Sequence, residues 1–265
     1  KWLAILSLAA AAAWAQQQEP FEDNEGGAPD HHAARIAALQ GNVTIQRADS
    51  GDTVAAGVNH AVLGGDRVMV GEGRVEVQLD SANLVRLGAT SEMRVADLQY
   101  KHYELQLASG TLTYRKVRDS DTVADVNTPL VSLRPTQRGV YRINVRPDGS
   151  GEFTVWSGAL DVYSSRGSQV LRSGSTMLVR GTSADPEYQV VNAGAEDAFD
   201  RWSTSRDRDL DRTISTRYVN PDVYGVDELD TYGRWQYEAP YGYVWVPTVA
   251  TDWAPYRYGS WYWAD

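Results

Sequence analysis

From Ile36 to Val191 apolar and polar residues alternate in short bursts. Val75, Val77 and Leu79 alternate with Glu76 and Gln78, Tyr103, Leu105 and Leu107 with Glu104 and Gln106, and Tyr141, Ile143 and Val145 with Arg142 and Asn144. A period of two puts the apolar set on one face of a strand and the polar set on the other. Turn-forming clusters such as Asp148-Gly149-Ser150-Gly151 and Ser164-Ser165-Arg166-Gly167 separate the bursts. The spacing predicts about a dozen short strands, hence a mainly β fold built as a sandwich, a barrel or an irregular β-solenoid. Glycine, any residue, then apolar-polar-apolar recurs at Gly41, Gly73, Gly110 and Gly158. Glycines of positive φ are expected there, immediately before a strand enters the sheet. Their intervals are uneven, so no strict repeat array is implied.

Between Ala193 and Thr216 the period changes. Phe199, Trp202, Leu210 and Ile214 fall on one helical face, with Arg206 in the slot between Trp202 and Leu210. Glu196 and Asp197 load the first turn, where the helix dipole favours acids, and Asp197 stands four residues before Arg201. Arg206 to Arg212 alternates in sign with Asp207, Asp209 and Asp211. Without a glycine for the tight turn of a calcium loop, this stretch reads as a solvated helix face. One connecting α-helix is predicted over residues 192–217.

The ends of the chain carry different signals. Lys1 precedes an apolar run from Trp2 to Ala13, and Ala13-Trp14-Ala15 matches a small-x-small cleavage site. Residues 1–15 therefore read as a signal peptide, too short for a comfortable membrane span, and export to the periplasm or the medium is expected. No later apolar run is long enough to cross a bilayer. Residues 16–34 are polar and read as a flexible spacer, in which His31 and His32 are incidental rather than metal ligands. The β-domain is placed at 35–191, the connector at 192–217 and an aromatic-rich module at 218–265.

That module holds twelve of the 27 aromatic residues within Tyr232–Asp265. Tyr232-Gly233-Arg234-Trp235 recurs as Tyr258-Gly259-Ser260-Trp261, and the abrupt stop after Trp263 leads to the expectation of a truncated C-terminus. Indole and phenol rings have an apolar face and a polar edge. They can stack on sugars while Arg234, Glu238 and Arg257 bond hydroxyls, or they can form the core of a segment with little volume to bury. The candidate binding residues are Trp235, Tyr241, Trp245, Trp253, Tyr256 and Trp261.

The formal net charge is −10, which repels phosphate backbones and argues against a nucleic-acid partner. The absence of cysteine excludes disulfides, thiol catalysis and a lipidated cysteine. No Gly-x-Ser-x-Gly elbow, phosphate-cradling glycine loop or His-Glu-x-x-His motif is present. Of the four histidines, His60 and His102 stand in separate β-region contexts. No catalytic residue, metal or cofactor is assigned, and the chain is read as a non-enzyme.

Residues 36–182 resemble the extracytoplasmic FecR domain. The likeness rests on Val126-Asn127-Thr128-Pro129, Val131-Ser132-Leu133-Arg134, Arg138-Gly139 entering the Tyr141-Ile143-Val145 strand, Trp156-Ser157-Gly158-Ala159-Leu160-Asp161-Val162, and Leu171-Arg172-Ser173-Gly174-Ser175. Pro135-Thr136-Gln137 interrupts the family pattern, Val140 replaces a threonine and Ser157 a glutamate. The C-terminal segment resembles an aromatic-rich module of unknown function found downstream of secreted FecR-like domains. These resemblances imply a non-catalytic envelope protein that docks a protein partner. A carbohydrate- or peptidoglycan-binding module built on the Tyr-Gly-x-Trp units is the second expectation. The third is FecR-type signalling to a sigma factor, which requires a cytoplasmic domain upstream of Lys1.

Overall fold

A computed structural model describes residues 33–220 and 223–249. The signal-peptide and histidine-pair assignments, and Trp253, Tyr256 and Trp261, lie outside the described residues. The protein is mainly β, as the alternation predicts. Strands β1 (Ala34–Gln46), β2 (Thr53–Ala55), β3 (Ala61–Val62), β4 (Arg67–Gln78) and β5 (Asn83–Leu87) come first. They are followed by β6 (Ser91–Gln99), β7 (His102–Lys116), β8 (Val123–Asn127), β9 (Ser132–Pro135) and β10 (Gly139–Val145). β11 (Gly151–Ser157), β12 (Ala159–Ser164), β13 (Gly167–Arg172), β14 (Ser175–Gly181) and β15 (Pro186–Asn192) complete one hydrogen-bonded sheet of fifteen strands.

β7 organises that sheet. Its first half pairs with β6 and, in parallel, with β8; its second half pairs with β5 and β10. β4 divides in the same manner between β6 and β5 while β1 follows it throughout. The long strands thus run through two layers, whose apolar faces meet in one core that includes Val68, Met93, Leu105 and Leu133 from one side and Leu87, Ile143, Phe153 and Met177 from the other.

Gly41, Gly73, Gly110 and Gly158 all have positive φ, at 81°, 137°, 92° and 92°. Their position differs from the expectation for three of them. Gly41, Gly73 and Gly110 lie inside β1, β4 and β7, where two bursts of alternation belong to one bent strand. Gly41 faces Gly73 across the β1–β4 ladder, and the register shifts between Gly41 and Val43. A Cβ at Gly73 would land on the Gln40 carbonyl oxygen, and one at Gly41 on the Glu72 carbonyl oxygen. Only glycine lets the two backbones pass that closely.

Two side-chain rows cross the layer formed by β4, β5, β7, β10, β11 and β14. Val75, Leu87, Leu112, Ile143, Phe153 and Met177 stand opposite one another and face the core. One residue further along, Glu76, Arg86, Thr113, Arg142, Thr154 and Thr176 form a polar row on the outer face. Helix α1 (Ala198–Asp211) covers this outer face as a third layer. After a 3₁₀ turn at Ser215–Arg217 come helix α2 (Val226–Tyr232) and a separate hairpin, β16 (Gly233–Glu238) and β17 (Gly242–Pro247). The seven residues of α2 are too few for a helical period to declare itself, so the single predicted helix becomes two.

Candidate functional site

Two constructions hold the chemistry of the molecule: the charged contact of α1 with the sheet, and the aromatic hairpin. In the first, Arg86 is fully buried and donates from Nε to Glu76 Oε2 (2.7 Å). Its Nη1 donates to Ser203 Oγ (2.7 Å) and pairs with Asp207 Oδ1 (2.7 Å) on α1. Asp207 Oδ2 faces Arg115 Nε at 3.1 Å, and Arg206 Nη2 returns to Glu76 Oε1 at 2.7 Å. Further along, Arg142 holds both Asp200 and Asp197, the latter at 2.7 Å. Asp197 also caps α1, accepting from the amides of Phe199 and Asp200, while Asp200 returns to the Asp197 amide. Asp200, Ser203 and Asp207 recur at helical spacing, so the helix packs through acids and a hydroxyl onto arginines. Phe199, against Gly88, and Trp202, beneath the Arg74 guanidinium at 4.9 Å, flank that polar strip.

Burial pushes the Glu76 carboxyl up, but Arg86 and Arg206 override it and hold it below the usual carboxylate range. Burial likewise raises Asp197, where Arg142 and the helix amides win and hold it low, whereas at Asp200 burial wins and raises it. A carboxylate with a depressed folded-state pKa contributes stability that is full above its unfolded pKa and is lost as pH falls through the folded one. We therefore expect Glu76→Gln to cost most at neutral pH. In urea titrations at a series of pH values, the gap to wild type should close only below the ordinary glutamate range. A gap of constant size from neutral pH to pH 3 would show that the Glu76 charge contributes nothing.

The hairpin is held from behind. Ser215 is buried, and its amide and hydroxyl donate to Asp230 on α2. Trp235 Nε1 donates to Ser215 Oγ (2.8 Å), and Trp245 Nε1 to the Leu229 carbonyl (2.9 Å). Trp235 and Trp245 are register partners, as are Tyr237 and Tyr243, so all four rings share one face. The indole of Trp245 lies where a Cβ at Gly233 would sit, which explains the glycine in Tyr-Gly-x-Trp. Tyr218 stacks on Trp235 (centroids 4.7 Å apart) and meets Tyr243 (4.8 Å), which contacts Tyr237 edge-on (5.6 Å). Tyr237 and Tyr243 are 66% and 56% exposed.

A family model matches residues 226–265, and its description is a family of unknown function, DUF6600. It spans α2, the hairpin and the C-terminal residues, and leaves the β-domain outside. No curated protein matches the chain. Two crystal structures provisionally described as an anti-sigma factor from Parabacteroides distasonis are similar at 17% identity. One aligns over 49% of this chain and 60% of that chain with a TM-score of 0.42; the other aligns over 69% and 99%, with a TM-score of 0.43.

Three of the six predicted binding residues fall within the described residues. Trp235 and Trp245 are half-buried, with both indole N–H groups bonded inside the module, so they build the frame. Tyr241 is the last residue of the hairpin turn, immediately before β17, and is exposed. The tyrosines that form the outer surface carry no motif in the sequence: cross-strand register brings Tyr237 and Tyr243 together, and Tyr218 reaches them from the end of the 3₁₀ turn. Glu238 accepts from Gln236 and Arg234 is exposed. His60 accepts from the Gly57 amide in a loop and His102 opens β7, as two separate features. The solvated-face reading of Arg206–Arg212 is corrected at Arg206 and Asp207, which bind Glu76, Arg86 and Arg115. Asp197 turns to Arg142 and its own helix end rather than to Arg201, because a half-buried guanidinium across the layer is a stronger partner than a solvated one.

Proposed function

We propose that the chain is a non-catalytic, exported protein of the cell envelope that docks a protein partner through the tyrosine face of its hairpin. The observation that carries this reading is the continuous surface of Tyr218, Tyr243 and Tyr237, exposed to solvent yet fixed by Trp235 and Ser215 beneath. Tyrosine is favoured at protein interfaces because a rigid ring supplies contact area at little entropic cost and its hydroxyl tolerates water before binding. The likeness of residues 36–182 to the FecR domain and the signal-peptide pattern of residues 1–15 support an extracytoplasmic setting. The formal net charge of −10 favours a partner whose docking surface is neutral or basic.

The test is photo-crosslinking in the native host, with a photoreactive residue placed at position 237, 243 or, as a control, 180 on β14. Arg180 is strongly exposed and belongs to the β-domain. A discrete protein adduct at 237 and 243 that is missing at 180 is the expected result. No adduct at either tyrosine position, or the same adducts at all three, would overturn the reading. Fractionation of the same cells tests export, which requires the protein outside the cytoplasm.

A further inference from the structure

A cleft of about 220 Å3 opens where the β-domain meets α2 and the hairpin. Arg35 of β1 and Asn59 of the β2–β3 loop line it from one side, and Tyr224, Glu228, Tyr232 and Trp245 from the other. It is distinct from the tyrosine face, whose Tyr218, Tyr237 and Tyr243 take no part in it.

The polar floor is pre-arranged. Arg35 donates from Nε to Gln78 Oε1 (2.7 Å) and from Nη1 to both Asn59 Oδ1 (2.7 Å) and Glu228 Oε1 (2.5 Å). Asn59 is fixed in the left-handed region at φ 66°, its amide N–H donating to the Ile36 carbonyl (2.8 Å). Among the described residues, the Asn59 side-chain NH₂ and the second carboxylate oxygen of Glu228 have no hydrogen-bond partner. A donor and an acceptor thus stand on either side of one guanidinium. The walls are rings whose polar edges are already used: Tyr224 donates its hydroxyl to the Leu79 carbonyl (2.8 Å), and Trp245 its indole N–H to Leu229. What these two rings offer the cleft is apolar carbon. Tyr232, 60% exposed, stands at the mouth.

We infer that this cleft binds one neutral pyranose residue, with its apolar face on the Trp245 and Tyr232 rings and a pair of neighbouring hydroxyls on Asn59 and Glu228. Each hydroxyl both donates and accepts, so two hydroxyls of one ring can meet a donor and an acceptor that flank the same guanidinium. The cleft has about the size of a single ring and is open to solvent, so a free monosaccharide or one residue of a neutral glycan fits it. The charges argue against an acidic sugar: Arg35 Nη2 is buried without a hydrogen-bond partner, but Glu228 pairs with the same guanidinium and Asp227 lies 4.0 Å from that nitrogen, so two carboxylates face one cation.

The experiment titrates the full chain with glucose, galactose, mannose, N-acetylglucosamine and their β-1,4-linked disaccharides, and with glucuronate, following the Trp245 indole N–H signal by NMR. At least one neutral sugar is expected to shift that signal saturably, with glucuronate weaker. Tyr232→Ala is expected to weaken binding about tenfold, the scale of one lost stacking contact. Glu228→Gln is expected to weaken it as well, and Tyr100→Ala, an exposed tyrosine between β6 and β7, to leave it unchanged. A thermal melt confirms that each variant is folded; if Glu228→Gln is not, Tyr232→Ala and Asn59→Asp carry the test. No shift with any neutral sugar at tens of millimolar, affinity unchanged in Tyr232→Ala, or glucuronate binding as tightly as the neutral sugars would each overturn the inference. Because Tyr237 and Tyr243 lie outside the cleft, these results do not depend on the crosslinking outcome.

Discussion

Replacing Arg86 with methionine is expected to lower the free energy of unfolding by about 3–5 kcal/mol, the cost of breaking a buried ion pair by removing one member. Glu76 is 1% exposed and would keep only Arg206, and Asp207 would keep only Arg115. Nothing replaces the lost contacts, because the helix backbone above and the strand below exclude water from the Arg86 position. The measurement is a urea denaturation midpoint with an unchanged slope. Removing both partners, as Arg86→Met with Glu76→Met, should cost less than the sum of the single changes, since two apolar side chains then meet where two charges met. A loss below about 1 kcal/mol for Arg86→Met would mean that the helix–sheet contact is solvated, with the strength of a surface ion pair.

The second large effect belongs to the backbone. Gly73→Ala is expected to cost about 3 kcal/mol or more, because two penalties coincide. The φ of 137° is strained for any residue with a Cβ, and the new atom would strike the Gln40 carbonyl across the ladder. Gly167→Ala is the matched control: its φ is 108°, but nothing lies within 4 Å of the added atom. That variant carries the conformational penalty alone, about 1–2 kcal/mol. Thermal melts of the two proteins separate strain from collision, and equal losses would show that the close crossing of β1 and β4 is not what fixes Gly73.

Both effects arise where a local pattern meets a distant segment. The alternation of Val75, Val77, Tyr141 and Ile143 reveals strands and their apolar face, since side-chain direction in a strand is set by the backbone alone. The same alternation marks Glu76, Arg86, Thr113 and Arg142 as polar, and polarity at strand period reads as a wet surface. Whether that face meets water depends on where residues more than fifty positions later come to rest. α1 was legible as a helix, yet its docking face was not: the apolar residues suggested one stripe, while Asp200, Ser203 and Asp207 form the contact.

The aromatic module follows the same division. Its richness in tryptophan and tyrosine and the glycine of Tyr-Gly-x-Trp are plain in the sequence. Hydrogen bonding assigns the indoles of Trp235 and Trp245 to the frame, and cross-strand register brings Tyr237 and Tyr243 together, with Tyr218 arriving from the 3₁₀ turn. The sequence by itself determined a mainly β protein, its core-facing residues and the positive φ at Gly41, Gly73, Gly110 and Gly158. Tertiary structure alone decided that the polar row is buried under α1, which tyrosines face outward, and that Arg35 meets Glu228 across 193 residues. The reason is range: backbone geometry and hydrophobic period act over a few residues, whereas the partner of a charge or a ring is whatever the folded chain brings beside it.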